Sequence, residues 1–109
     1  MIKVIYKPSL EVKKYFDGQI ELRVLSIDEK YELAELAESS KEGSKVKTFL
    51  SLVQAIRPLV QSVQIKGIKT LQEYKSFDDL MSDSRSDVVL AELVQFVLGG
   101  YQLEKKPKP

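Results

Sequence analysis

Four aspartates, Asp78, Asp79, Asp83 and Asp87, come closest in type and spacing to a reactive centre. Carboxylate oxygens are what a hard cation such as Mg²⁺ or Ca²⁺ takes as ligands. The regular loop and closing glutamate of a calcium hand are missing, however. Each aspartate also stands near an expected helix start, where a carboxylate accepts from free backbone amides and opposes the positive helix end. Capping is the expected role, and no metal or other cofactor is assigned. Ser26, Ser44, Ser76 and Ser86 likewise each precede an apolar periodic segment. The chain has no histidine, cysteine or tryptophan, so the commonest general base, the thiolate nucleophile and the soft metal ligands are absent together. Gly18, Gly43, Gly67, Gly99 and Gly100 are dispersed, and no Gly-Lys-Ser/Thr follows a strand to cradle a phosphate. The expectation is a binding or assembly protein, not an enzyme.

The 109 residues, 43% hydrophobic and 30% charged, suit one small globular domain, taken as residues 1–103 followed by a basic, proline-containing tail at 104–109. No apolar run approaches the ~20 residues of a membrane span, and the opening Met1 to Pro8 lacks the regions of a signal peptide, so a cytoplasmic protein without a membrane partner is expected. Lys41, Lys45, Lys47, Lys66, Lys69, Lys105, Lys106 and Lys108 would make a nucleic-acid footprint if folding gathered them. Sixteen acidic residues offset seventeen basic ones, and no aromatic stacking motif accompanies the lysines. A nucleic-acid-binding regulator is therefore the alternative, not the leading reading.

The elements that must position any site divide by period. Ile2, Val4 and Tyr6 alternate with Lys3, Ile5 and Lys7, and Ile20, Leu22 and Val24 with Glu21 and Arg23. The intervening Asp17-Gly18 predicts an antiparallel hairpin over residues 10–24, with 2–6 as a third strand. Ser26-Ile27-Asp28-Glu29 is a capping-box sequence that should open a helix with an apolar face of Ile27, Tyr31, Leu33, Ala34, Leu36 and Ala37. After a polar loop at Ser39 to Gly43, Ser44 is placed to cap a core helix. Its stripe is Val46, Phe49, Leu50, Val53, Ile56 and Val60, with Pro58 forcing a kink or an end near Arg57. Val63, Ile65 and Ile68 suit a short strand. A one-turn helix is expected at Phe77 to Met81 and a last helix from Asp87 to Leu98, stopped by Gly99-Gly100. The fold class is thus α+β, an N-terminal β-hairpin or small antiparallel sheet followed by three to four helices.

The last helix has very little polar face. It belongs either in the centre of the fold or against another chain, and Leu90, Val94, Phe96, Leu98, Tyr101 and Leu103 are its candidate partner-binding residues. The order of segments, Gly18 to Arg23 entering Leu25 to Glu29, then an apolar mid-chain helix, then Phe77-Asp78-Asp79-Leu80 leading to the last helix, resembles the tail assembly chaperones of tailed bacteriophages. That resemblance implies a self-associating, non-enzymatic helper in the host cytoplasm. Such a protein accompanies tail-tube or tape-measure proteins during virion morphogenesis. It carries over no individual site residue.

Overall fold

The computed structural model describes residues 3–38 and 45–101. The expected loop at Ser39 to Gly43, the Ser44 cap, Leu103, and Lys41, Lys105, Lys106 and Lys108 lie outside the described residues. Strands β1 (Lys3–Tyr6) and β2 (Phe16–Arg23) come first, then helices α1 (Ile27–Glu38) and α2 (Lys45–Ile56). Strands β3 (Val60–Gly67) and β4 (Glu73–Tyr74) follow, and helices α3 (Phe77–Met81) and α4 (Asp87–Leu98) complete the order. The strands form one antiparallel sheet in the order β1-β2-β3-β4. The fold is α+β as expected, but the α1–α2 pair is inserted between the central strands β2 and β3.

Register sorts the side chains by face. Tyr6 sits opposite Ile20, Ile20 opposite Val63, and Ile65 opposite Tyr74, and all of these are buried. The alternate positions, among them Asp17, Gln64, Lys66 and Glu73, are exposed. A sheet with one apolar face must cover it. Here the inner face shares a single core with Leu33 of α1, Leu52, Val53 and Ile56 of α2, Phe77 and Leu80 of α3, and Val89, Leu90, Leu93, Val94, Phe96 and Val97 of α4.

The hairpin is not where Asp17-Gly18 placed it. Val12–Lys14 form a turn of 3₁₀ helix, and Asp17-Gly18 lie inside β2, so the N-terminal hairpin is β1 with β2. Gly18 has φ +121°, and a Cβ there would stand 1.8 Å from the carbonyl oxygen of Gln64. The glycine is required by the close approach of β3 rather than by a reversal of the chain.

Local signals fared better. The Ser26 box forms in full: the Glu29 amide donates to Ser26 Oγ (3.2 Å) and the Ser26 amide to Glu29 Oε1 (2.8 Å). Ser76 Oγ accepts from the Asp79 amide at the start of α3. Pro58 ends α2 at Ile56, as its ring and missing N–H require, and Arg57–Leu59 continue as a single 3₁₀ turn. Val60, counted in the α2 stripe, instead opens β3. Ser86 does not cap through its side chain. It is fully buried, and its hydroxyl serves the Leu80 and Asp83 carbonyls.

Two expected apolar faces are only partly buried: Phe49, Val53 and Ile56 of α2 and Leu33 of α1 pack inward as expected, and their neighbours do not. Leu50, expected in the core, is 48% exposed, and Leu52 takes the inner position. At 100° per residue Phe49, Leu52, Val53 and Ile56 share one face, while Val46 and Leu50 sit about a quarter-turn away. On α1, Ile27 and Tyr31 are 74% and 63% exposed, and Leu33 is the buried residue.

Candidate functional site

The α1 helix leans on the end of α4, and the ground between them is an apolar groove of about 240 Å³. Its walls come from Val24, Leu25 and Ile27 at the entry to α1, Lys30, Leu33 and Ala34 along it, and Val97, Leu98 and Tyr101 from the far end of the chain.

Local backbone chemistry fixes both walls. At the end of α4 the Gly100 amide donates to Val97 O (3.2 Å) and the Tyr101 amide to Phe96 O (2.8 Å), with Gly100 at φ +73°. This is a Schellman termination, in which a left-handed glycine turns the chain back across the last helical turn. Tyr101 follows it, itself at φ +72°, and its ring packs on Phe96 at a centroid distance of 6.0 Å. The Tyr101 hydroxyl accepts from the Leu25 amide (2.6 Å), so the end of α4 is tied to the residue before the α1 cap.

On the α1 side, Arg23 donates from both terminal nitrogens to Glu29, at 2.8 and 2.6 Å. These bonds, and next the Ser26 amide, pull the Glu29 carboxyl from its usual 4.5 to about 2, and the same pairing raises Arg23. The arrangement supplies a prepositioned apolar surface with one cationic stem, Lys30. Such a surface binds by excluding water.

Of the candidate partner-binding residues, the groove gathers Leu98, 40% exposed, and Tyr101, half-buried. Leu90, Val94 and Phe96 are taken into the chain's own core, where Phe96 meets Tyr6 edge-on at 5.6 Å. α4 is therefore central, and its outward residues are Asp87, Val88, Ala91, Gln95 and Leu98. Sequence reasoning missed Val24 and Ile27 as surface residues. The available signal was that α1 carries two apolar rows, Ile27/Tyr31/Ala34 and Leu33/Leu36/Ala37, of which one helix can bury only one.

The aspartates do not converge. Asp78 pairs with Arg57, Asp79 accepts from the Lys75 amide (2.9 Å), and Asp83 accepts from the Tyr74 hydroxyl (2.7 Å) and from Arg85. Hydrogen bonds from Arg85 first, then Tyr74, hold the Asp83 carboxyl far below its ordinary value. Among the described residues no three such side chains are placed to hold a metal ion. Of the lysines, Lys66 lies in register between Asp17 and Glu73 on the outer sheet face, a mixed-charge surface rather than a basic one. Among the described residues no helix is long and apolar enough to cross a membrane. Compared with protein-family models, with curated proteins and with solved structures, the chain matches none of them.

Proposed function

We propose that this chain is a non-enzymatic assembly protein that holds another protein in the groove between α1 and the end of α4. The observation that carries this reading is the groove itself, with Val24, Ile27 and Leu98 left exposed around walls that hydrogen bonds keep in place. Apolar side chains held open to water in this way gain free energy when a partner covers them. The order of segments gives the reading its specific form, a phage tail assembly chaperone working in the host cytoplasm, with a tail-tube or tape-measure protein as partner.

The test is suppression of aggregation. A tail-tube protein diluted from denaturant should scatter less light when an equimolar amount of this chain is present. Leu98→Asp, which puts a charge into the contact, should lose that effect with its far-ultraviolet circular dichroism unchanged. If the original chain has no effect on either a tail-tube or a tape-measure protein, the chaperone reading fails.

A further inference from the structure

The start of α4 borders a second hollow, separate from the groove at its end. It holds about 270 Å³ and lies beside Val88, about 15 Å along the helix axis from Leu98. Two buried rings floor it: Phe16, which opens β2, and Tyr74 of β4, their centroids 6.0 Å apart. Tyr15 and Val88 form the sides and are 55% and 43% exposed.

The rim is cationic. Lys69 and Arg85 are the charged residues that line the hollow, and no carboxylate lines it. The turn that carries Lys69 is closed by the Gly67 amide on Gln72 O (2.8 Å) and the Leu71 amide on Gly67 O (3.1 Å). The Ile68 amide ties that turn to Tyr15 O (2.8 Å). Arg85 donates from Nε and Nη2 to Asp83, which also accepts from the Tyr74 hydroxyl. Asp83 thus offsets the charge of Arg85, but Nη1 makes no hydrogen bond among the described residues. Lys69 has no ion-pair partner among the described residues. An aromatic floor therefore meets one uncompensated positive charge and one unused guanidinium nitrogen at its mouth.

We propose that this hollow binds a small aromatic carboxylate, its ring seated on Phe16 and Tyr74 beside Val88 and its acid group at Lys69 and Arg85 Nη1. The site does not depend on what the α1–α4 groove holds. Aromatic rings prefer offset or edge-on contact, so a floor of two rings tilted at 58° suits a third ring better than a branched aliphatic chain. A carboxylate takes N–H groups from lysine and arginine in short, charge-assisted bonds, which strengthen where apolar walls keep water away. Volume sets the size of the ligand. Pockets for drug-sized molecules run from about 300 to 1,000 Å³, so this one holds a ring and its acid group rather than a length of peptide.

The probe is phenylacetate, titrated into the isotopically labelled chain, with neutral phenylacetamide as its counterpart. Amide chemical shifts should move around Phe16, Thr70, Tyr74 and Val88, with a Kd of about 1 mM or below for the acid and at least about tenfold higher for the amide. Added salt should weaken the acid alone. Lys69→Glu, at an exposed position, should cut the acid's affinity about tenfold or more and leave the amide's within about twofold. Val88→Trp, which fills the hollow from its exposed side, should abolish both while resonances away from the hollow keep their positions.

Equal affinity for acid and amide, or no response to Lys69→Glu, overturns the proposal. Absence of shifts at about 10 mM overturns it as well. Shifts confined to Ile27 and Leu98 would place the ring in the groove instead and overturn it. A peptide ending in phenylalanine that binds more tightly than phenylacetate would assign the hollow to a chain terminus, and the small-molecule ligand would be wrong.

Discussion

Glu29 takes part in two structures at once, accepting from the Ser26 amide in the capping box and from both terminal nitrogens of Arg23. Its carboxyl falls to about 2 in the folded chain against a usual 4.5, so the unfolded chain binds its proton more readily. A depressed carboxyl stabilises the fold above its unfolded value, and that contribution is lost as pH falls from about 4.5 towards about 2. Glu29→Gln should therefore be less stable than the original chain at neutral pH, with the gap closing across that window. Urea titrations at several pH values would read it, and a gap that stays constant down to the acid limit would show that Glu29 gains nothing from Arg23. Asp83 shifts in the same direction through Arg85 and Tyr74 and adds to the acid sensitivity of both proteins.

At the scale of elements, the question for each helix is which row faces the sheet. Ile56 is fully buried and Leu50 is 48% exposed. Ile56→Ala should cost about 2–5 kcal/mol, while Leu50→Ala should cost about 1 kcal/mol or less. Equal losses on denaturant titration would mean that α2 is rotated from the orientation described. The same contrast explains what the sequence revealed. The box at Ser26, the cap at Ser76, the stop at Pro58 and the Gly99-Gly100 termination are complete within a few residues, so their chemistry could be read directly. The rotation of α1 and α2 depends on α4 and the role of Gly18 on β3, elements far along the chain that meet them only after folding. For the site, Leu98 and Tyr101 were found through the apolar density of the last helix. That density reflected central burial, which is why Leu90, Val94 and Phe96 went inside. Val24 and Ile27 were missed because an apolar residue that continues a strand alternation or a helical stripe is usually core.

Across the whole molecule, the first strand and the last helix are locked together by one carboxylate. Glu92 looks like a polar interruption of α4, but its oxygens accept from the Tyr6 hydroxyl (2.7 Å), the Ser9 amide (2.7 Å) and the Ser9 hydroxyl (2.5 Å). Burial first, then the bond to Glu92, pushes the Tyr6 hydroxyl well above its ordinary pKa and keeps it a donor. The Tyr6 hydroxyl and the Ser9 amide share one oxygen, Oε1, and the Ser9 hydroxyl takes the other, so an apolar side chain at position 92 would leave all three donors without their acceptor. Glu92→Leu should therefore cost at least about 1–3 kcal/mol, the range for a buried donor left unmatched. Tyr6→Phe leaves both Ser9 bonds in place and should cost less. Because β1 is a four-residue edge strand, its amides should also lose hydrogen-exchange protection in Glu92→Leu while those of α2 keep theirs relative to the global stability. Unchanged protection in β1 would show that pairing with β2 alone holds the strand, and that Glu92 is not the tie between the two ends of the fold.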